Sequence, residues 1–310
     1  MAHKFSLCIT TFNRIDELSK TLSEIADRGF LSQFEVLLCD DGSTDGTSEF
    51  IQANYPSVIL MRHDSNKGLI FSRNELINQV KTPFAFFLDD DASILGELDL
   101  NFATSYFENN PNCAVLALRI FWDSNKPNNY LSHKEPHRVR SFVGCGHIWR
   151  TSAWQQIPEY PERFKFYGEE DFAAFHLFKK GLEVHYYPDI LIHHRVDIKS
   201  RKKNKDYIQR TRRSLRSGWY LNLMFYPKRL IVRRIAYSIW TQLKTKAFKG
   251  DLKAMIGLKL AILDLLINSF RIFKNSNRFS IAEFREFEKI EPARIYWTSD
   301  SSTLQSKYKI

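Results

Sequence analysis

Three consecutive carboxylates, Asp89, Asp90 and Asp91, are the strongest chemical signal in the sequence. They follow the apolar run 84–88, which contains three phenylalanines and is too short for a helix core, so we predict a buried strand there. Adjacent carboxylates repel one another, and Mg²⁺ or Mn²⁺ offsets that repulsion while often sharing its shell with substrate phosphates. A solvated acidic turn is the alternative. The buried strand and the further acidic motifs of the chain favour the metal site.

A second acidic pair, Asp40-Asp41, also ends an apolar run. In the first ninety residues helical patterns separate four such runs, which we predict as strands at 4–11, 34–39, 57–61 and 84–88. This alternation predicts a parallel sheet with right-handed crossovers. Open α/β sheets bind ligands at the carboxyl ends of their strands. Both acidic sets are therefore expected at one edge of the sheet.

The composition sets the class of protein. The 310 residues are 44% hydrophobic and 14% aromatic, enough for one large α/β domain with an appendage. No run of about 18 uncharged apolar residues occurs, which argues against a transmembrane helix. The N-terminus lacks a signal-peptide pattern, and the four scattered cysteines form no CxxC pair. We therefore expect a cytoplasmic protein.

Charge is distributed unevenly along the chain. Residues 1–194 carry 18 Lys and Arg against 26 Asp and Glu, whereas residues 195–275 carry 21 against 4. Within the basic segment, 230–243 and 255–273 have the pattern of amphipathic helices, which suits an anionic membrane surface. A helical cap on the catalytic domain, or a dimer partner, is the alternative. Nucleic acid is an unlikely partner because no reader motif accompanies the charge.

Five motifs, in this order and spacing, resemble the family 2 glycosyltransferases, which are inverting nucleotide-sugar enzymes with the GT-A fold. The motifs are the segments 10–14, 39–47, 66–68 with Arg73-Asn74, 88–91 and 168–171. The resemblance extends to His193-His194 and covers roughly residues 3–195. No single motif is decisive, but their shared order is strong evidence.

The resemblance implies a set of nucleotide-sugar ligands. They are Thr10, Phe12, Asp41, Lys67, Gly68, Arg73, Asp89 and Asp90. A carboxylate such as Asp41 can accept hydrogen bonds from a base imide or from ribose hydroxyls. Asp40 is expected instead to have only a structural role, in an Asx-type turn that caps the following helix.

The resemblance also implies that Asp91 is the metal ligand of the triplet. Histidine follows at 193 and 194, at the end of a predicted strand, and neighbouring strand residues point to opposite sides. Only one of the two can face the metal, and we favour His194 over His193. The implied cofactor is a divalent cation, Mn²⁺ or Mg²⁺.

The catalytic base is implied within the segment 168–171, which begins a predicted helix. The resemblance gives this role to Asp171, because inverting transfer needs a carboxylate that takes the acceptor's proton. Glu169 and Glu170 would then mainly complement the helix dipole. Glu170 and Trp149 are weaker candidates for acceptor contacts, and a core position is the alternative for Trp149.

These inferences predict an α/β protein of GT-A type, Rossmann-like, with a mostly parallel sheet flanked by helices and a basic helical extension. The expected parts are a catalytic domain 1–195, divided into a nucleotide-sugar half 1–95 and an acceptor half 96–195, then a basic region 196–275 and a C-terminal helix and tail 276–310.

The predicted reaction moves a sugar from a nucleoside diphosphate, with UDP favoured, to a hydroxyl of a glycan or a lipid-linked saccharide. A sugar nucleotidyltransferase and a non-enzymatic basic binding protein are the alternatives. Expected partners are the donor, the acceptor, an anionic membrane surface along 196–275 and a second copy of the chain. The expected membrane partner predicts a peripheral location at the inner face of the plasma membrane.

Overall fold

A computed structural model describes residues 3–128, 130, 134–196 and 205–293. These residues form a nine-stranded sheet whose main path runs β3-β2-β1-β4-β8-β6-β9-β5, with β7 paired to β9. The strands are β1 Phe5–Thr11, β2 Glu35–Asp40, β3 Ile59–Arg62, β4 Phe84–Asp89, β5 Ala92–Leu95, β6 Cys113–Trp122, β7 His137–Val139, β8 Gly146–Arg150 and β9 Glu183–His194.

Ten helices accompany the sheet in the described part of the chain. They are α1 Ile15–Asp27, α2 Thr47–Asn54, α3 Leu69–Gln79, α4 Leu100–Asn109, α5 Thr151–Trp154, α6 Glu169–Lys179, α7 Tyr207–Phe225, α8 Lys228–Thr245, α9 Leu252–Lys274 and α10 Ile281–Lys289. None of them is both long and apolar enough to cross a membrane.

The first four strands are parallel and confirm the alternation predicted for the first ninety residues. The apolar side chains of β1, β2 and β4 are buried on both faces of the sheet, which explains their nearly continuous hydrophobic sequences, whereas β3 is partly exposed. The register pairs Thr10 with Asp89 and Thr11 with Asp40. The acidic motifs therefore meet at one edge of the sheet.

The second half of the sheet is mixed. Strand β8 lies antiparallel between β4 and β6, whereas β6 and β9 are parallel. Strand β9 is one strand of 12 residues that continues through Pro188. The β6–β9 register shifts beside this proline because it has no N–H to donate to the ladder. The strand continues and places His194 opposite Ala92, one residue after the acidic triplet.

Helices α7 and α10 pack on α6 through aromatic side chains. The ring of Phe175 on α6 lies 4.9 Å from that of Phe225 on α7 and 5.1 Å from that of Phe287 on α10. Within the basic region, α7 thus packs as the alternative of a helical cap describes. Residues 197–204 of the predicted basic region and residues 294–310 of the predicted tail lie outside the described residues.

Candidate active site

A pocket of about 870 Å³ opens at the carboxyl edge of β1 and β4. It brings together eleven of the fourteen residues predicted from the sequence. These are Thr10, Phe12, Asp41, Lys67, Gly68, Arg73, Asp89, Asp90, Asp91, Glu170 and His194. Trp149, Asp171 and His193 do not line it. Residues more than 180 positions apart in sequence thus share one cavity, because the sheet register aligns the ends of their strands.

Two carboxylates and one imidazole converge in this pocket. One ligand atom from each of Asp89, Asp91 and His194 lies within 4.8 Å of the others. The Nε2 atom of His194 is 2.9 Å from an Asp91 oxygen and 4.0 Å from an Asp89 oxygen. The ring of His193 points the other way, with Nε2 2.9 Å from the carbonyl oxygen of Asp123. This donor set of oxygen and nitrogen atoms fits Mn²⁺, and its carboxylates also fit Mg²⁺.

The adjacent acids of the triplet have different electrostatic surroundings. Burial would raise the pKa of Asp91, but the hydrogen bond and charge of His194 and the charge of Arg14 hold it below its usual range. Burial raises the pKa of Asp90 to about 7, against the opposing charge of Arg14. The Asp90 carboxylate also accepts a 2.8 Å hydrogen bond from the Thr11 hydroxyl. Asp91 is therefore the acid best kept ionised for a cation.

Asp41 is held in place by the backbone that follows β3. The amides of Lys67 and Gly68 each donate to its carboxylate at 2.8 Å, and the ring of His63 contacts it at the same distance. Gly68 has a φ of +105°, which L side chains rarely adopt. His63 also reaches Glu75, so this imidazole joins two carboxylates. No sequence motif indicated a role for His63, since an isolated histidine after a strand is usually structural.

Asp40 takes the structural role expected for it. Its carboxylate accepts a 2.8 Å hydrogen bond from the Ser43 amide and a second from the Ser48 hydroxyl at the start of α2. Its side chain is fully buried. Only Asp41 of the pair is therefore directed to the pocket.

Arg73 connects the acidic triplet to helix α6. Its buried guanidinium donates to Asp89 at 2.7 Å, to Glu169 at 2.9 Å and to the carbonyl oxygen of Gly144 at 3.0 Å. The Gly144 amide in turn donates to Glu170 at 3.1 Å. A β-carbon at position 144 would lie 2.6 Å from both the Arg73 guanidinium and the Glu170 carboxylate. A larger residue at position 144 would therefore displace the end of the Arg73 or the Glu170 side chain.

Substitution of this glycine tests the arrangement. We expect Gly144→Ala to lower the free energy of unfolding by about 1–3 kcal/mol through overpacking, and to reduce activity by displacing Arg73 and Glu170. Gly218→Ala is the matched control, because position 218 lies inside α7 with no atom within 4 Å of an added β-carbon. Thermal unfolding of both variants measures the difference. Equal stability of the two would contradict the described packing.

Helix α6 presents Glu170, not Asp171, to the pocket. Successive helical residues are rotated by about 100°, so the three acids of its first turn cannot share one direction. Glu169 and Glu170 both line the pocket, and Glu169 is also paired with Arg73. The Asp171 carboxylate instead accepts a 2.7 Å hydrogen bond from the Ser141 hydroxyl. Burial, followed by the charge of Glu169, raises the pKa of Glu170. The prediction that Asp171 is the base does not fit this geometry.

Trp149 belongs to the core, so its predicted contact with an acceptor sugar is wrong. Its side chain is fully buried, its Nε1–H donates to the Tyr160 hydroxyl at 3.1 Å, and it packs edge-on against Trp154. The tryptophan that lines the pocket is Trp122, at the end of β6. Its ring stacks on that of His194, with centroids 5.4 Å apart. Residue type alone could not distinguish the two tryptophans.

Several basic side chains of the pocket were not predicted as site residues. They are Arg14, Lys165, Arg195, Arg210 and Arg213. Arg210 and Arg213 belong to α7, within the segment whose charge suggested a membrane partner. Part of that positive charge therefore lines the same cavity as the acidic cluster.

The chain belongs to glycosyl transferase family 2, because residues 6–178, more than half of its length, match the sequence profile of that family. A relative is the uncharacterized glycosyltransferase YfnE of Bacillus subtilis, 28% identical over 138 residues, which are 44% of this chain. The match covers 34% of YfnE, and a second curated relative, glycosyltransferase AglE of Haloferax volcanii, is covered to 30%.

Solved structures of glycosyltransferases share the fold. S. aureus TarS in complex with UDP-GlcNAc superposes with a TM-score of 0.54 at 16% identity, covering 92% of this chain and 90% of that chain. The mannosyltransferase PcManGT from Pyrobaculum calidifontis, in complex with GDP-Man and Mn²⁺, superposes with a TM-score of 0.53 at 13% identity. The superposition covers 93% of this chain and 79% of that chain. The predicted GT-A type of fold is thus confirmed.

Proposed function

We propose that this protein transfers a sugar from a nucleoside diphosphate to an acceptor hydroxyl, with inversion at the anomeric carbon and dependence on a divalent cation. One observation carries the proposal. The cluster of Asp89, Asp91 and His194 shares a pocket with Asp41, which suits a nucleotide, and with Glu170, which suits a base. Family membership supports the reaction class.

Asp89, Asp91 and His194 would hold the cation, Mn²⁺ or Mg²⁺. When bound, such an ion neutralises the diphosphate and stabilises it as a leaving group. The complex of PcManGT with GDP-Man and Mn²⁺ supports this assignment. Arg73 positions Asp89 through its 2.7 Å contact.

Three residues at the carboxyl ends of β1 and β2 would receive the nucleoside. Asp41 would accept hydrogen bonds from the base or ribose, and Thr10 lies beside Asp89 in the β1–β4 register. The ring of Phe12 is 40% exposed and lines the pocket, which suits stacking on a base. Lys67 and Gly68 would act mainly through the amides that fix Asp41. UDP stays our favoured nucleotide, in line with the TarS complex with UDP-GlcNAc.

Cations from outside the sequence motifs would surround the diphosphate. Lys165, Arg210 and Arg213 line the pocket, and Arg210 is oriented by Asp206, whose carboxylate lies 2.5 Å from its Nε. Guanidinium groups bind phosphate oxygens in a fixed fork geometry. Helix α7 would therefore contribute to donor binding.

Glu170 would act as the base in place of Asp171. Burial raises the pKa of both Glu170 and Asp171, so the choice between them rests on Glu170 lining the pocket. The Gly144 amide holds one of the Glu170 oxygens, which leaves the other able to take the proton of the attacking hydroxyl. Trp122, stacked on His194, would contact the transferred or accepting sugar.

The acceptor that we propose is a glycan or a lipid-linked saccharide, reached from a peripheral position on the inner face of a membrane. The basic region 196–275 supports that position through its charge. The homo-oligomer and the boundaries at 195 and 275 stay predictions.

The reaction class can be tested by the product that is released. Purified protein with Mn²⁺ should slowly release nucleoside diphosphate from one of UDP-GlcNAc, UDP-glucose or GDP-mannose without an acceptor, and EDTA should stop the release. A sugar nucleotidyltransferase would instead release pyrophosphate from a nucleoside triphosphate and a sugar phosphate. Pyrophosphate release without any diphosphate release would contradict the proposal.

A further inference from the structure

Helices α8 and α9, with the short segment between them, expose large apolar side chains in the part of the chain that the structure describes. We call them the apolar face, which consists of Val232, Tyr237, Trp240, Phe248, Leu252, Met255, Ile256, Leu263, Leu266, Ile267, Phe270 and Phe273. Three central members, Leu266, Ile267 and Phe270, are 68%, 78% and 82% exposed. Isolated exposed apolar residues are ordinary, but twelve of them between positions 232 and 273 mark an interaction surface.

The apolar face follows from the spacing of residues along α9. Leu252, Ile256, Leu263, Ile267 and Phe270 recur at intervals of three, four and seven, which places them on one stripe of the helix. The opposite stripe is buried. There a β-carbon at Gly257 would lie 2.8 Å from that of Thr211 on α7. Helix α9 is thus fixed by α7 along one side and exposes apolar residues along the other.

Positive charge surrounds the apolar face. Residues 228–275 contain eleven Lys and Arg against two Asp. Asp264 forms a two-pronged ion pair with Arg212, and Asp251 caps the start of α9 through the Ala254 amide. The exposed cations Lys253, Lys259, Arg271 and Lys274 therefore have no acidic neighbour on α9 to offset them.

The combination of apolar and basic residues distinguishes between occupants. A second copy could cover the apolar residues, but it would bring two segments of net charge +9 together. A nucleic acid would offset the charge but would leave the apolar stripe in water. An anionic lipid bilayer satisfies both, because its headgroups attract cations and its acyl region receives apolar side chains.

We infer that the apolar face of α8 and α9 docks on an anionic lipid bilayer, with α9 parallel to the surface. Leu266, Ile267 and Phe270 enter the boundary between headgroups and acyl chains, to a depth of about 5–10 Å. Trp240 and Tyr237 lie at headgroup level, as amphipathic rings do at membrane interfaces. This inference rests on the peripheral membrane position given under the proposed function and deepens it, because it assigns that position to one surface of α8 and α9. Lipid binding itself requires neither donor nor metal.

Helix α7 would link docking to the donor pocket. It packs against α9 along its length and supplies Arg210 and Arg213 to the pocket wall. A bilayer bound to α9 would therefore be one helix away from the proposed site of chemistry.

Vesicle flotation tests the inference. The full chain should float with vesicles of phosphatidylcholine and phosphatidylglycerol, and much less with phosphatidylcholine alone or at high salt. The double variant Ile267→Glu/Phe270→Glu should lose at least about tenfold in affinity for the anionic vesicles. Phe102→Glu is the matched control, since Phe102 is 69% exposed on α4, outside the apolar face, and it should bind as the wild type does.

Two further measurements keep the outcomes distinct. Each variant is checked by thermal unfolding, and its state of association is measured by sedimentation velocity. Failure of the wild type to bind anionic vesicles, or equal binding by the double variant, would overturn the inference. The inference would also be overturned if the wild type formed a dimer and bound no vesicles, while the double variant was a monomer. Because these assays contain no nucleotide, their failure would leave the proposed transfer reaction unaffected.

Discussion

Replacement of Asp91 by Asn will reduce kcat/KM for sugar transfer at least about a thousandfold. The surroundings of Asp91 hold its pKa below the usual range, and it lies 2.9 Å from His194 in the proposed cation site. Loss of its charge removes a ligand whose partners, Asp89 and His194, cannot replace it. The measurement is initial rate against Mn²⁺ concentration for both proteins.

Asp90→Asn is the matched control for this prediction. Asp90 is adjacent and chemically identical, but its carboxylate is engaged by Thr11 and Arg14, and its raised pKa leaves it partly protonated near neutral pH. We expect its kcat/KM to stay within about tenfold of the wild type. Equal losses in the Asp90 and Asp91 variants would contradict the assignment of the cation to Asp91.

Replacement of Glu170 by Gln will lower kcat by about 10²–10⁴ while leaving nucleotide affinity nearly unchanged. Asp171→Asn, the neighbouring control, will retain most of the activity because Asp171 is directed to Ser141. Transfer rate and diphosphate affinity, measured on both variants, separate the two roles. A large loss in the Asp171 variant with an active Glu170 variant would restore Asp171 as the base.

The raised pKa of Glu170 also gives a pH dependence with a definite sign. The base must be deprotonated, so the acidic limb of kcat will lie above the ordinary glutamate value of 4.5. The folded state binds this proton more tightly than the unfolded state, so the stability from this group is complete below pH 4.5 and is lost as pH rises through the raised pKa. Glu170→Gln should therefore raise Tm at pH 8 while abolishing the acidic limb. A lower Tm would indicate a purely structural carboxylate.

The first half of the fold was predictable because its signals are local. Buried strands of five to seven residues alternate with helices, and each motif lies where a strand ends. The second half depends on pairings that the sequence does not encode locally. Strand β8 enters between β4 and β6, and β9 continues past Pro188. The hydrophobic pattern of a strand is the same whichever strands it pairs with, so neither arrangement could be read from the sequence.

The site was predictable by residue type but not by direction. The acids of β4 and the pair His193-His194 were in the right place, and strand alternation explains why only one histidine faces the cluster. On α6, successive residues are rotated by about 100°, so Glu170 faces the pocket and Asp171 does not. The spacing of residues in the sequence does not show which side of a helix faces a pocket. Trp149 and Trp122 differ in burial and not in type. Such differences require the packed structure.

The basic segment shows a third kind of limit. Its charge predicted one partner, whereas the structure divides it among three surroundings. Arg210 and Arg213 line the pocket, Arg212 pairs with Asp264 inside the helical cap, and the cations of α9 stay exposed beside apolar residues. A net charge cannot report this division, because it sums over faces of different helices.

The central claim is that the pocket binds a nucleoside diphosphate through a divalent cation. Calorimetric titration of the wild type with UDP, GDP and dTDP, each with Mn²⁺ and again with EDTA, tests it most directly. We predict binding of one diphosphate in Mn²⁺ and at least a tenfold weaker affinity in EDTA, a loss of about 1.4 kcal/mol. Folded protein that binds none of the three in Mn²⁺, or binds one equally well in EDTA, would contradict the claim.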